Sequence, residues 1–268
     1  MVDATILNIR INNLSRQELL ERLEHGVVFT PNVDHLVKLQ RDPDFYRIYQ
    51  EADYRLCDSK ILIYASHFLG MPIKEKISGS DLLPEFCYYH RNNDAIKIFL
   101  LGAVEGVAQR AQSRINQRVG REMVVGCYSP PFGFERHEVE CQKIVDMIRR
   151  SEATVVAVGL GAPKQEKWIA KYRSQLPNIR IFLAIGAAID FEAGQKPRSP
   201  KWMSEVGLEW LYRLLVEPRR LWRRYLIEDL PFFWWILKQK LNLYRFPHSL
   251  EASSKASHST QDRTLLKK

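Results

Sequence analysis

The sequence predicts an α/β protein: a Rossmann-like parallel sheet flanked by helices, with a C-terminal helical membrane-binding appendage. Three observations carry that expectation. Four short runs, IKIFLLG from Ile96, MVVGCYS from Met123, TVVAVGLG from Thr154 and IRIFLAIG from Ile179, are apolar almost throughout. Strands of that kind are buried on both faces, as in a parallel sheet covered by helices. Between the runs, apolar residues recur at helical spacing, at Val107, Ala111 and Ile115, at Val139, Ile144 and Ile148, and at Trp168, Ile169 and Tyr172. Finally, from Pro200 to about Arg245 the pattern becomes purely helical and rich in Trp and Arg.

In chain order, ATILNIRI reads as a strand, and SRQE at Ser15 to Glu18 as a capping box opening a helix. VVFTPN is a second strand, ending in Thr30-Pro31-Asn32. DPDFYRIYQ opens a helix with Asp42 as cap and Pro43 in its first turn. DYRLCDS reads as a third strand, and KILIYASHFLG as a helix closed by Gly70. The four apolar runs complete a catalytic domain over residues 1–195. The helical appendage takes 196–247, with Pro218 in the first turn of a new helix. The small, polar stretch 248–268 reads as a disordered tail.

The chain has 268 residues and a net charge of +9. That charge is local: residues 196–245 hold 11 Lys and Arg against 5 Asp and Glu, whereas residues 1–195 hold 25 against 24. A clustered basic segment points to a phosphate-bearing partner. Cys57, Cys87, Cys127 and Cys141 form no C-x-x-C and read as reduced thiols of a cytosolic protein. MVDATILNIRINNLSRQ lacks the apolar core of a signal peptide. The most apolar run of the appendage, LPFFWWIL, is too short to span a bilayer.

Several strand ends carry groups that could do chemistry. In VVAVGLGAPKQEKW, Gly159 and Gly161 lie between a strand and a helix, where backbone N–H groups favour an anion such as a diphosphate. Gln165 falls in the first turn of that helix, within reach of a sugar or phosphate oxygen. FLLGAVEGVA repeats the design at Gly102 and Gly106, and in both places the glycines also suit a plain tight turn. Asp58 ends YRLCDS; it is either a general base or the cap of the next helix, and the local sequence favours the cap. Thr30, Asn32 and Asp190 fall at the same sheet edge. Asp42-Pro43-Asp44 has the letters of a metal-gripping D-x-D but opens a helix, so it reads as capping. No histidine pattern suggests a bound metal. Arg213, Arg220 and Arg223 share one helical face at i, i+7 and i+10, with Arg219 and Arg224 off it. Guanidinium forks are suited to phosphate oxygens. Five of the six tryptophans share this segment, a pairing typical of a helix lying in a membrane surface, with Trp210 the one expected in the core.

Taken together, TPNVDHLV, CDSKIL, EKISGSDL, GLGAPKQEKW, AIGAAIDFEAG and GLEWLYRLLVEPRRLWRRY, in order across residues 30–225, resemble the TagA/WecG/CpsF family of glycosyltransferases (glycosyltransferase family 26). The resemblance implies an inverting, metal-independent transfer of a sugar, N-acetylmannosamine in the best-known cases, from a UDP-sugar donor to a polyprenyl-diphosphate-linked sugar acceptor. It places the enzyme in the cytoplasm, peripherally on the inner face of the cell membrane, and calls for no cofactor. Carried over by position, Asp58 is the catalytic base, Thr30 and Asn32 are its neighbours in the pocket, and Gln165 is a substrate contact. Arg213, Arg220 and Arg223 meet the diphosphate, and Asp190 and Lys76 complete the substrate-binding set. Two positions depart from the family pattern. Ser59 stands where many members have glycine, and Lys76 where arginine is usual, keeping the charge but losing the bidentate fork.

Two other readings of the residues are weighed against this one. A nucleotide-binding α/β protein without catalysis would keep the glycine turns. A nucleic-acid-binding protein would explain the charge, but the basic residues are confined to a Trp-rich segment without a recognised motif, so nucleic acid is not an expected partner.

Overall fold

The computed structural model describes residues 2–246, so the tail expected at 248–268 lies outside the described residues. Its strands are β1 (Ala4–Ile6), β2 (Ile9–Ile11), β3 (Gly26–Phe29), β4 (Tyr54–Arg55), β5 (Ile98–Gly102), β6 (Val124–Tyr128), β7 (Val155–Gly159) and β8 (Ile181–Ala184). The last six form one sheet in the order β4-β3-β8-β7-β5-β6, every pair parallel.

Successive side chains point to opposite faces of a strand, and here they feed two separate cores. Phe99, Leu101, Val156, Val158 and Phe182 enter one, whereas Ile98, Leu100, Val155, Ala157 and Ile181 enter the other. This is why the runs of β5, β7 and β8 carry no polar alternation; β6, at the sheet edge, buries only Val124 fully. The expected Ser15–Glu18 capping box is present, Asp42 caps Phe45 with Pro43 at the first position, and Gly70 closes its helix in the left-handed conformation. Val139, expected on a buried face, is exposed; the Glu138–Arg150 helix buries Cys141, Ile144, Val145 and Ile148 instead.

Two expected strands differ. ATILNIRI is a hairpin outside the main sheet: Leu7, at φ 57°, and Asn8 turn the chain so that β1 pairs antiparallel with β2. Ala4, Ile6, Ile9 and Ile11 are all buried on its inner face. β4 is only two residues long, because Pro31, continuing β3, has no N–H to offer. The extended chain beyond β4 still donates from Asp58 N to the Pro31 carbonyl at 2.9 Å, which fixes the Asp58 backbone at the carboxyl end of the sheet.

The C-terminal segment is helical as expected, in pieces: Lys201–Glu205, Glu209–Val216, Pro218–Arg223, a π-helical turn Arg224–Glu228, and Pro231–Lys240. Pro218 does begin a new helix, and Glu217 before it is non-helical at φ −127°, ψ 58°. The last helix lays Phe232 and Ile236 into the same core as β5 and β7. The middle pieces lie over the carboxyl ends of the strands, and two partly open cavities lie there.

Candidate active site

In an open parallel sheet, ligands gather outside the carboxyl ends of the strands, where the connections part. The first cavity, about 280 Å³, lies there and is polar. Its floor is made by the turns after β7 and β8, at Gly159–Gly161 and Ile185–Asp190. Those turns touch: a Cβ on Gly159 would come within 2.8 Å of the Gly186 carbonyl, so only glycine allows this approach. Gln165 locks them together. Its Nε2 donates to Glu166 at 2.9 Å, and its Oε1 accepts the Gly186 N–H at 3.1 Å. Thr30, buried, donates to the Ala184 carbonyl at 3.4 Å. Asp190, Lys196 and Arg220 line the same cavity. Burial pushes the Asp190 carboxyl above its usual range, with Lys196 and Arg220 opposing.

The second cavity, about 320 Å³, presents mostly apolar surface, with Ile61, Trp210, Leu226, Leu230 and Phe233 set among polar and charged residues. Trp210 therefore faces a cavity, half-buried and edge-on to Tyr225 with ring centroids 6.1 Å apart, and is not the core residue expected. Asn32, Asp34, Asp58, Arg213, Arg224 and Tyr225 line both cavities.

Asp58 is half-buried where the two cavities meet. It is not a helix cap: Ser59 Oγ accepts the Ile61 N–H at 3.2 Å and caps the Lys60–Leu69 helix. Ser59, the departure from the family's glycine, thus has a structural role. Burial pushes the Asp58 carboxyl up to about 8, with Glu209 and Asp81 adding to the shift and Arg213 and Lys76 opposing it. A carboxylate so placed is a base of useful strength near neutral pH.

Around Asp58 the charges form a chain. Arg213 is paired with Glu209, and Glu209 also accepts from Lys76 Nζ at 3.2 Å, which in turn reaches Ser204 Oγ at 3.3 Å. Lys76 lines the apolar cavity but is held by the C-terminal segment. Asn32 Oδ1 caps the Val33–Leu39 helix through the His35 N–H at 3.1 Å.

One expected site residue is not brought in. The Arg223 side chain is 73% exposed, pairs with Glu228 at 3.2 Å and lines neither cavity. Arg224, expected off the face, lines both. Helical counting from Arg213 fails because Glu217, at φ −127°, ψ 58°, breaks the helix before Arg220, Arg223 and Arg224.

The sequence reading also passed over Asp34 and Glu209. Asp34, 4% exposed, pairs with Lys38 at 2.8 Å and Arg224 at 3.2 Å. Burial pushes its carboxyl up, but Arg224 and Lys38 outweigh that and hold it below the usual range. Behind it, burial drives the His35 imidazole down to about 3, so it is neutral, with Nδ1 2.6 Å from the Tyr49 hydroxyl. The Asp34–Lys38 spacing at i, i+4 was a readable signal; the reach of Arg224 to Asp34 was not.

Comparison with known proteins shows the family. The chain is 28% identical to an N-acetylglucosaminyldiphosphoundecaprenol N-acetyl-beta-D-mannosaminyltransferase of Staphylococcus aureus strain MRSA252, over 85% of this chain and 89% of that protein. The protein of the same name from strain NCTC 8325 / PS 47 is similar to the same degree. The family model described as Glycosyl transferase WecG/TagA/CpsF family matches residues 4–246. With nearly all of the described fold and both cavities inside that match, the chain belongs to the WecG/TagA/CpsF family of glycosyltransferases.

Proposed function

We propose that this enzyme moves a hexose, N-acetylmannosamine or a close relative, from a UDP-sugar to a sugar carried on a polyprenyl diphosphate, with inversion and without a metal. The observation that carries this reading is the meeting of two unlike cavities at Asp58, whereas Asp34, the other carboxylate lining both, is tied up by Lys38 and Arg224. The polar cavity suits a nucleotide diphosphate. It offers glycine turns, the N-terminal end of the Lys164–Tyr172 helix, and Arg213, Arg220, Arg224 and Lys196. The apolar cavity suits an acceptor sugar followed by a lipid. The names of the staphylococcal relatives, which specify a sugar-diphosphoundecaprenol acceptor, support that assignment.

In this reaction the Asp58 carboxylate takes the proton of the acceptor hydroxyl as its oxygen attacks the donor's anomeric carbon. The bond from that carbon to the diphosphate oxygen breaks on the opposite face, and its electron pair leaves with UDP. A single displacement of this kind inverts the anomeric centre. The growing charge on UDP is met by Arg213, Arg220 and Arg224. Among the described residues no group of three His, Cys, Asp or Glu side chains is placed to hold a metal ion.

The C-terminal segment exposes Trp202, Trp222, Phe233 and Trp234 beside its basic residues. Such a surface suits anionic headgroups and brings the apolar cavity to the lipid carrying the acceptor. No helix among the described residues is long and apolar enough to cross a membrane, and in this reading the enzyme lies on the cytoplasmic face.

The test is UDP release from a panel of UDP-sugars, with a short-chain N-acetylglucosaminyl diphospholipid as acceptor and EDTA present. We expect acceptor-dependent, EDTA-resistant release that falls by roughly 10²–10⁴-fold in Asp58→Ala. Loss of activity to EDTA would overturn the metal-free step. Full activity in the variant would remove Asp58 from the reaction. UDP binding without release from any sugar would leave a nucleotide-binding protein.

A further inference from the structure

The two carboxylates that line both cavities are treated oppositely by their surroundings. Asp34 is held by two cations, Lys38 at 2.8 Å and Arg224 at 3.2 Å. Asp58 makes no ion pair and no side-chain hydrogen bond among the described residues, although Arg213 and Lys76 line the apolar cavity with it. Both of those cations are bound by a third carboxylate. Glu209 opens the Glu209–Val216 helix and pairs through Oε1 with Arg213, one turn along. Its Oε2 accepts from Lys76 Nζ at 3.2 Å.

Glu209 shares the apolar cavity with Asp58, so its charge also faces the base. Lys76 has two weaker contacts besides Glu209, Ser204 Oγ at 3.3 Å and Asp81 at 4.0 Å, and Asp81 is itself taken by Arg198 at 2.7 Å. The other charged groups of this cavity are Lys60, Asp229 and the Asp34–Arg224 pair, with the Tyr225 hydroxyl. On the polar side stand Asp190, His35, and Lys196 and Arg220, the last two both paired with Glu217. Toward the core, burial pushes the Cys57 thiol up to about 12 and the Tyr49 hydroxyl well above its usual range, so both are neutral. Arg213 and Lys76 are therefore the cations that oppose the raised Asp58 carboxyl, and Glu209 is the group that binds both. A cation in direct contact lowers a carboxyl by about one to three pH units and occupies its lone pairs.

We propose that Glu209 is the positioning residue of the base: by holding Arg213 and Lys76 it keeps both cations off the Asp58 carboxylate, whose lone pairs stay open to the acceptor hydroxyl. Arg213 carries five N–H groups, so those not on Glu209 remain for the diphosphate. Asp34, which alone holds Lys38 and Arg224 among the described residues, shows the state that Asp58 avoids. The inference rests on the transfer reaction proposed above.

The experiment is the pH profile of kcat/KM, with the short-chain N-acetylglucosaminyl diphospholipid as acceptor, in wild type, Glu209→Gln and Glu209→Asp. In Glu209→Gln the freed cations should capture Asp58. The acid limb should then move down by about one to three pH units, and the plateau should fall by about tenfold or more. Glu209→Asp keeps the charge and should hold the midpoint within about half a unit of wild type. A lower rate at every pH with the wild-type midpoint would overturn the proposal, leaving Glu209 as a tie between the segment and the sheet. An upward shift would overturn it as well. Thermal melts decide the matter if Glu209→Gln is inactive. At about pH 8, adding Asp58→Asn to Glu209→Gln should bring no gain in stability, because the captured carboxylate is charged and paired. A gain equal to that of Asp58→Asn alone would overturn the proposal. Full activity of Asp58→Ala would overturn the base itself, and this inference with it.

Discussion

On the sheet side of the cavities, Thr30, Gln165 and the Gly159 turn are fixed by backbone carbonyls, backbone N–H groups and apolar cores on both faces. On the side of the C-terminal segment, the site residues hang on ion pairs: Arg213 on Glu209, Arg220 on Glu217, Arg224 on Asp34. The sheet buries β5 and β8 entirely, whereas the segment leaves Trp202, Trp222 and Trp234 exposed. The difference teaches how this glycosyltransferase divides its work. In the proposed reaction the sheet side supplies the base and the floor. The other side supplies positive charge held by ion pairs.

The comparison would break first at Asp58, where the largest effect is expected. Because its carboxyl is pushed to about 8, the base form is a minority below that pH, and kcat/KM should fall about tenfold per unit on the acid side. Stability should run the other way. A carboxyl raised in the folded state keeps its proton there while the unfolded chain has lost it. Its contribution is present in full below about pH 4 and is lost as pH rises through about 8. Asp58→Asn should therefore be more stable than wild type at pH 8, by the order of a few kcal/mol, with the gap closing toward pH 4. Thermal melts across pH decide it. A gap independent of pH would mean that Asp58 is not held protonated by its surroundings.

The attachment of the segment should show two kinds of force. Phe232, buried in the sheet's core, anchors the last helix, and Phe232→Ala should cost about 3–5 kcal/mol in denaturant unfolding. Arg198, half exposed, reaches Asp81 at 2.7 Å and the Ser80 carbonyl at 2.6 Å. Its replacement by Ala should cost no more than about 1 kcal/mol, as surface pairs do. Equal costs would show that polar ties, and not the apolar anchor, hold the segment.

How much of this was legible in the sequence follows the same division. β5, β7 and β8 were readable because burial on both faces leaves no polar residue in the run, and Gln165 and Asp190 followed from their places at strand ends, whereas for Asp58 the strand end favoured a cap and only the family resemblance made it a base. The β1–β2 hairpin was not, since Leu7 takes a left-handed turn without the glycine that usually announces one. Nor was the arginine face. A periodic count assumes one continuous helix, and the break at Glu217 resets it. Pro218 marked the break, but nothing in the local sequence gave the phase beyond it. Asp34 and Arg224, far apart in the sequence, are paired across the fold at 3.2 Å, which no local pattern announces.

The arginines give the smallest and sharpest effect. Arg223 and Arg224 are adjacent in sequence and identical in chemistry, so propensity and net charge cancel between their alanine variants and only placement differs. Arg224 touches both cavities and pairs with buried Asp34, whereas Arg223 is exposed and pairs with Glu228. Arg224→Ala should lower kcat/KM by about tenfold or more, because it removes a charged donor and leaves Asp34 one partner short. Arg223→Ala should change it by about threefold at most, the scale of a surface pair. Steady-state rates at saturating and limiting UDP-sugar separate the two. The reverse order would carry its own meaning. A π turn holds one residue more per loop than an α turn, so relaxing it to α on ligand binding would rotate the segment and exchange the two side chains. In that case the described arrangement is the resting one, and the ion-paired side of the site moves further than its ion pairs alone would allow.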